Sequence, residues 1–371
     1  MNEAVVLTRH SLCDGGYIAQ ISLNAPQRIN ALNLEMVTRL LFLLEGIATD
    51  PEAVAVLLDG EGERGFCAGG DVRQLRASAL SAGNGPAREA ERFFEIEYRV
   101  DHLLHNFPKP VICWANGAIM GGGLGLMVGA SHRIVTPCAR LAMPEISIGL
   151  YPDVGATWFL QRMPGSSGLF CALTGVALNA GDALYSGLAD YLLPQRAKPA
   201  VLQKLLKLDW AFEREPDAEM LTAELTDLEA ELDECLPESH LKQRSELIDA
   251  LCEDTAPAAI DEAFDSLHAD DGWLNKAGQT FREGSASTAR LTLALFERGA
   301  ALSLADAFRL ELTVSSQRVK HADFIEGVRA RLIDKDHRPR WTWGRLVDVP
   351  SDEVMALFNP PWDDHPLADL K

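Results

Sequence analysis

The sequence predicts an α/β protein, with a core of parallel strands and a helical C-terminal region. Three observations carry this. Short apolar runs at 53–60, 111–115 and 132–136 open a strand–loop–helix rhythm that recurs three times. Glycine-rich loops fall just after those runs, where parallel sheets place their ligands. From about residue 197 the pattern turns acidic and helical, as in AEMLTAELTDLEAELDECL (218–236).

Residues 4–9 and 17–23 alternate apolar and polar, and CDGG (13–16) between them predicts a tight turn, hence a hairpin. Asn33 is an N-cap for a helix with Leu34, Val37, Leu41 and Leu44 on one face. AVAVLLDG (53–60) is a buried strand ended by glycine. The loop GERGFCAGGD (62–71) follows, then a helix holding Arg73 and Leu75. A long helix is expected over 88–106. Pro108 and Pro110 break it before the strand VICWA (111–115). The glycine-rich stretch GAIMGGGLGLMVGA (117–130) leads to a third strand near HRIVT (132–136). Residues 200–270 and 286–333 are expected as helices, and the tail 341–371, with NPPW at 359–362, as an irregular strap.

The chain has 371 residues, 47% hydrophobic and 24% charged, and a formal net charge of −20. That balance argues against nucleic acid or an anionic membrane surface as the main partner. The seven cysteines are scattered without a CxxC pair, and MNEAVVLTRH lacks the basic and long apolar regions of a signal peptide. No apolar stretch is long enough to span a bilayer, so a soluble, cytoplasmic protein with reduced thiols is expected.

Within MPEISIGLYPDVG (143–155), Glu145 and Asp153 stand among apolar and small residues. Burying a carboxylate without a partner is costly, so either solvent reaches them or a site needs them. By themselves, Glu145 has the alternatives of capping a helix or pairing with an arginine, and Asp153 that of an N-cap before GATWFL. FCAGGD (66–71) and MGGGLG (120–125) place glycines after strands, where backbone N–H groups are open to a ligand. One such loop alone reads as a tight turn. Two, one of them at a helix start, can bind a developing negative oxygen. No phosphate-loop or nucleophile-elbow motif is present, and GSSG (165–168) does not make one. No His/Cys cluster has metal spacing; His102 and His105 read as surface or satisfied histidines.

FCAGGDVR (66–73), ANGAIMGGGLGL (115–126), AMPEISIGLYPDVG (142–155) and HADFIEGVRARLIDKD (321–336) together resemble the crotonase, or enoyl-CoA hydratase/isomerase, superfamily, and within it the 3-hydroxyisobutyryl-CoA hydrolase branch. The resemblance implies a crotonase-like spiral of ββα units. With the change of character near residue 197 and the tail from 341, the chain divides into a crotonase-like acyl-CoA-binding core (1–196), a helical region (197–340) and a tail expected to pack on the core (341–371). The resemblance also implies an oxyanion hole from the amides of Gly70 and Gly122, with Glu145 at the second catalytic position. Asp153 matches a residue of the hydrolase branch, where hydratases usually carry glycine, and Glu97 falls where that branch places a further substrate-facing acid. Hydratases carry a glutamate where Gly125 stands here. The activity so implied is hydrolysis of a short 3-hydroxyacyl-CoA, first of all 3-hydroxyisobutyryl-CoA from valine breakdown. The alternative is hydration or isomerisation of an enoyl-CoA. A non-catalytic acyl-CoA- or RNA-binding role is a third reading, disfavoured by the acidic balance and by the two acids. Coenzyme A would arrive with the substrate, and no other cofactor or metal is expected. The expected partner is acyl-CoA, with no nucleic acid or membrane; a homo-oligomer is open. Arg28, Arg64 and Arg73 lie beside the loops, without an assigned role toward the phosphates.

Overall fold

The computed structural model describes residues 3–13, 15–267 and 271–371. The chain forms two compact units: Met1–Gly70, Val100–Leu141 and Leu178–His240 make the first, and Asp71–Arg99, Ala142–Ala177 and Leu241–Lys371 the second.

The first unit is built on a six-stranded sheet in the order β1 (Val5–Ser11), β2 (Tyr17–Leu23), β3 (Ala53–Gly60), β5 (Val111–Ala115), β7 (His132–Val135), β9 (Tyr191–Leu192). The hairpin β1–β2 is antiparallel and every later pairing is parallel. Its turn includes Asp14, which lies outside the described residues. Three shorter strands, β4 (Gly65–Cys67), β6 (Ala118–Met120) and β8 (Arg140–Ala142), form a second sheet. Each strand of the large sheet from β3 to β7 is thus followed by one of the small sheet and then by a helix or helical turn. These are the repeating ββα units the resemblance implied. The strand β4 falls inside the stretch 62–71 that the sequence presents as a loop.

Helix α1 (Leu34–Thr49) is capped as expected, with the Asn33 side chain accepting from the N–H of Met36. Its buried face is Met36, Val37, Leu40, Leu43, Leu44 and Ile47, so Leu34 and Leu41 sit at the margin rather than in the stripe. Helix α2 (Val72–Ala82) holds Arg73 and Leu75 as expected, and α3 (Arg88–His105) ends one residue short of the expected 88–106. The run 122–128 is itself a helix, α4 (Gly122–Val128), buried along its whole length.

The acidic segment has a plain structural task. In the helix Arg214–Leu232, Leu221, Leu225 and Leu228 form one apolar seam. They join Ile18, Leu57, Ile112, Trp114 and Ile134 of the large sheet in one core. Glu229 turns back to accept from the N–H of Leu192 at 2.6 Å.

In the second unit the tail is held by arginines. Arg99 pairs with Asp369 at 2.8 Å and Arg309 donates to the carbonyl of Leu367 at 3.1 Å.

Candidate active site

Two glycine loops abut in the first unit. After β4 the chain turns at Gly69, whose φ of +85° is in the region that favours glycine. Its carbonyl accepts from Leu32 at 2.8 Å, so this ladder bond uses Gly69 and not the amide of Gly70. A Cβ at Gly69 would lie 2.8 Å from the Met120 carbonyl and 3.3 Å from the nitrogen of Gly122. The two loops are therefore in direct contact, and only the missing side chain permits it. Gly122 is the first residue of α4, so its N–H has no intrahelical acceptor. Gly123 lets α4 approach β4: a Cβ there would meet the Cys67 carbonyl at 2.5 Å. Gly125 lies buried in the same helix. Arg64 spends its guanidinium on the carbonyls of Pro26 and Gln27, both at 2.7 Å.

The acids belong to the second unit, and Glu97, Glu145 and Asp153 are all buried there. Glu145 opens a 3-10 turn, Glu145–Ile148, closed by Gly149 at φ +73°, whose N–H returns to the Glu145 carbonyl. Its carboxyl neither caps a longer helix nor bonds an arginine. Oε2 is buried and has no hydrogen-bond partner among the described residues. Asp153 is not an N-cap either. The short helix α5 (Ala156–Phe159) has no cap from its own segment, and the Asp153 side chain instead accepts from the Tyr98 hydroxyl at 2.7 Å.

The motif HADFIEGVRARLIDKD braces the Glu145 turn. Asp323 accepts from the hydroxyls of Ser285 (2.7 Å) and Ser287 (2.5 Å) and from Thr342. Buried Arg318 joins this network through Ser287 and donates to the Gly149 carbonyl at 2.7 Å. Ser285 donates its N–H to the Ile146 carbonyl. Gly149 and Gly327 are in close contact with the backbone of Asp323 and of Ile148 respectively, so the helix Ala322–Val328 packs directly on the turn.

Electrostatics follow from burial. Desolvation first, and the nearby Asp153 second, hold the Glu145 carboxyl well above the usual range. Burial pushes Asp153 up to about 6, against the opposing hydrogen bond from Tyr98. Glu311, also buried, is raised to about 8 although it accepts from the N–H groups of Gly155 (2.7 Å) and Thr157 (2.9 Å). The charge of Asp153 thus adds to burial in disfavouring the ionised form of Glu145.

Sequence reasoning missed Tyr98, Tyr151, Glu311 and Ser315. Tyr98 and Tyr151 adjoin Glu97 and PDVG, so their neighbours were a signal. Glu311 and Ser315 share one face of the helix Leu304–Arg318 with buried Phe308 and Leu312, and that polar spacing on an apolar face was the available hint. No group of three or more metal-ligating side chains occurs among the described residues.

Paired ββα repeats split between two sheets define a crotonase-type protein. The chain belongs to the enoyl-CoA hydratase/isomerase family, whose model matches residues 18–358. It is 34% identical to the mitochondrial 3-hydroxyisobutyryl-CoA hydrolase of Gallus gallus, over 92% of this chain and 86% of that protein. Two solved structures cover nearly the whole chain. One is named as an enoyl-CoA hydratase from Rhodobacter sphaeroides (32% identity, 97% of this chain and 98% of that one, TM-score 0.82). The other is named as a carnitinyl-CoA dehydratase from Mycobacterium thermoresistibile (33%, 98% of each, TM-score 0.84).

Proposed function

We propose that this protein hydrolyses a short 3-hydroxyacyl-CoA thioester, with 3-hydroxyisobutyryl-CoA as the leading substrate. The observation that carries the reading is the buried Glu145, one oxygen unpartnered, electrostatically coupled to Asp153. The similarity to a named hydrolase along 92% of the chain, C-terminal helices included, supports it. So does Gly125, which leaves α4 without the glutamate that hydratases carry at that position.

In this mechanism the amides of Gly70 and Gly122 stabilise the oxyanion that forms when oxygen adds to the thioester carbonyl. Glu145 supplies that oxygen by one of two routes. It takes a proton from water as water attacks, or it attacks itself to form an anhydride that water then opens. The C–S bond breaks, sulfur leaves as the thiolate and is protonated, and the free acid departs. Asp153 receives the acyl 3-hydroxyl, and Glu97 is a further substrate-binding acid. Coenzyme A arrives as part of the substrate. The cysteines, none of them in a disulfide, suit a reducing compartment such as the cytoplasm, although the Gallus relative is named mitochondrial. No helix among the described residues is long and apolar enough to cross a membrane.

Release of free CoA thiol from 3-hydroxyisobutyryl-CoA tests the reading. Glu145→Gln should lower it by roughly 10²–10⁴. Trapping with hydroxylamine during turnover separates the routes: an anhydride on Glu145 is captured as a hydroxamate of the acyl group or of Glu145 at a rate that thiol release matches, and a general base leaves Glu145 unmodified. The second reading, hydration of an enoyl-CoA, is favoured by the likeness to the Rhodobacter protein, which is named a hydratase. It prevails if the protein consumes an enoyl thioester and releases no thiol from the hydroxyacyl one.

A further inference from the structure

Asp153 is held from two sides within the second unit. On the side-chain side, Tyr98 donates to Oδ2 at 2.7 Å, and the Tyr98 hydroxyl lies 2.7 Å from Ser315 Oγ. Ser315 is 2.8 Å from the Tyr151 hydroxyl, which donates to the Glu311 carbonyl at 2.8 Å. Tyr98, Ser315, Tyr151 and Glu311 are all fully buried. On the backbone side, the Glu311 carboxyl takes the N–H groups of Gly155 and Thr157. Just before Gly155, Val154 adopts φ +54°, a region that β-branched residues avoid. Such strain persists only where neighbours over-determine it, and it clusters at working sites.

The chain of hydroxyls is buried throughout, and it ends on a carbonyl that can only accept. Each hydroxyl has a single proton to give. The Tyr98 proton points to Asp153, the Tyr151 proton goes to the Glu311 carbonyl, and Ser315 Oγ lies between the two phenol oxygens at 2.7 and 2.8 Å with one proton to give. We propose that Tyr98, with Ser315 against its oxygen, is a positioning residue that fixes the Asp153 carboxylate to receive the acyl 3-hydroxyl. This rests on the role given to Asp153 above. The titratable groups facing Asp153 are Tyr98 on α3, Glu145 on the 3-10 turn, Tyr151, and Glu311 on the helix Leu304–Arg318. All four are acids, so the Tyr98 hydrogen bond is the side-chain contact that favours the ionised form of Asp153.

The test uses the full-length protein and two thioesters, 3-hydroxyisobutyryl-CoA and isobutyryl-CoA, which lacks the hydroxyl. Tyr98→Phe keeps the ring and removes the donor. It should lower kcat/KM about ten- to a hundredfold on the hydroxylated thioester, the range for a hydrogen bond to a charged group, and leave the other within about twofold. The acidic limb of its pH profile should move to higher pH. Combined with Asp153→Asn, it should cause no further loss. Equal losses on both thioesters, or additive losses in the double variant, overturn the proposal. If Tyr98→Phe does not fold, Ser315→Ala decides: a smaller loss confined to the hydroxylated thioester supports the proposal, and an indiscriminate loss or none overturns it. Should the wild-type protein release no thiol from either thioester, the hydrolase reading fails by itself. Carboxyl NMR titration of Asp153 then still tests the contact: its pKa rises in Tyr98→Phe if the hydroxyl positions it, and an unchanged pKa overturns the proposal.

Discussion

Gly149→Ala is the sharpest probe of how the C-terminal motif holds the Glu145 turn. Gly149 closes that turn at φ +73°, which costs a residue with a side chain roughly 1–2 kcal/mol. The added Cβ would lie 2.3 Å from the Asp323 carbonyl oxygen, 2.4 Å from its carbon and 2.7 Å from the Phe324 nitrogen. All three are backbone atoms that cannot rotate away, so overpacking adds about 1–3 kcal/mol. The expected loss is therefore about 2–5 kcal/mol, the sum of the two effects. Gly187→Ala is the control, because Gly187 has φ +72° and nothing within 4 Å of its would-be Cβ. It should cost only the backbone part, about 1–2 kcal/mol. Urea unfolding followed by tryptophan fluorescence measures both. Relief of the clash must shift the turn or the helix Ala322–Val328. A displacement near 1 Å at a reacting group lowers turnover by about 10², so folded Gly149→Ala should also lose thiol release. Equal stability losses for the two variants, with thiol release unimpaired, would refute the bracing argument.

Two further outcomes are expected. Asp153→Asn should stabilise the fold at pH 8 and lose that gain as pH falls from about 6 toward 4. The folded pKa of Asp153 is raised from 3.8 to about 6, so ionisation opposes folding at high pH and the opposition fades below the folded value. The gain is on the order of 1–3 kcal/mol, measured by chemical unfolding at the two pH values, and a destabilised Asn variant at pH 8 would contradict the burial argument. Gly69→Ala should lower thiol release by about 10²–10³, the effect of losing one oxyanion donor. Its Cβ collides with the Met120 carbonyl at 2.8 Å and drives the two glycine loops apart. Turnover within twofold of wild type would remove this loop contact from the mechanism.

Where hydrophobic runs are long and bounded by glycine or proline, local pattern sufficed. The strands 53–60 and 111–115 occupy the residues their apolar runs mark, and Asn33 caps the helix it precedes. MGGGLG has the composition of a loop and yet is helical from Gly122, because burial and close approach to Cys67 override the weak helix propensity of glycine. On α1 the stripe is shifted by a position or two, since the leucines and methionine of that helix allow more than one apolar face. Neither Glu145 nor Asp153 took the capping role open to it. Glu311, 156 positions beyond Gly155, caps that segment instead, and nothing local announces so distant a partner.

The order of residues alone determined the strand–helix rhythm, the glycine loops and the identity of the acids, because periodicity, chain stiffness and side-chain chemistry act over a few neighbouring positions. Which carboxyl is dry, which hydroxyl points at a neighbouring acid and which distant carboxylate takes the amides of Gly155 and Thr157 were decided only when remote helices packed together. Desolvation and directed hydrogen bonds exist between surfaces, and those surfaces meet only in the folded chain.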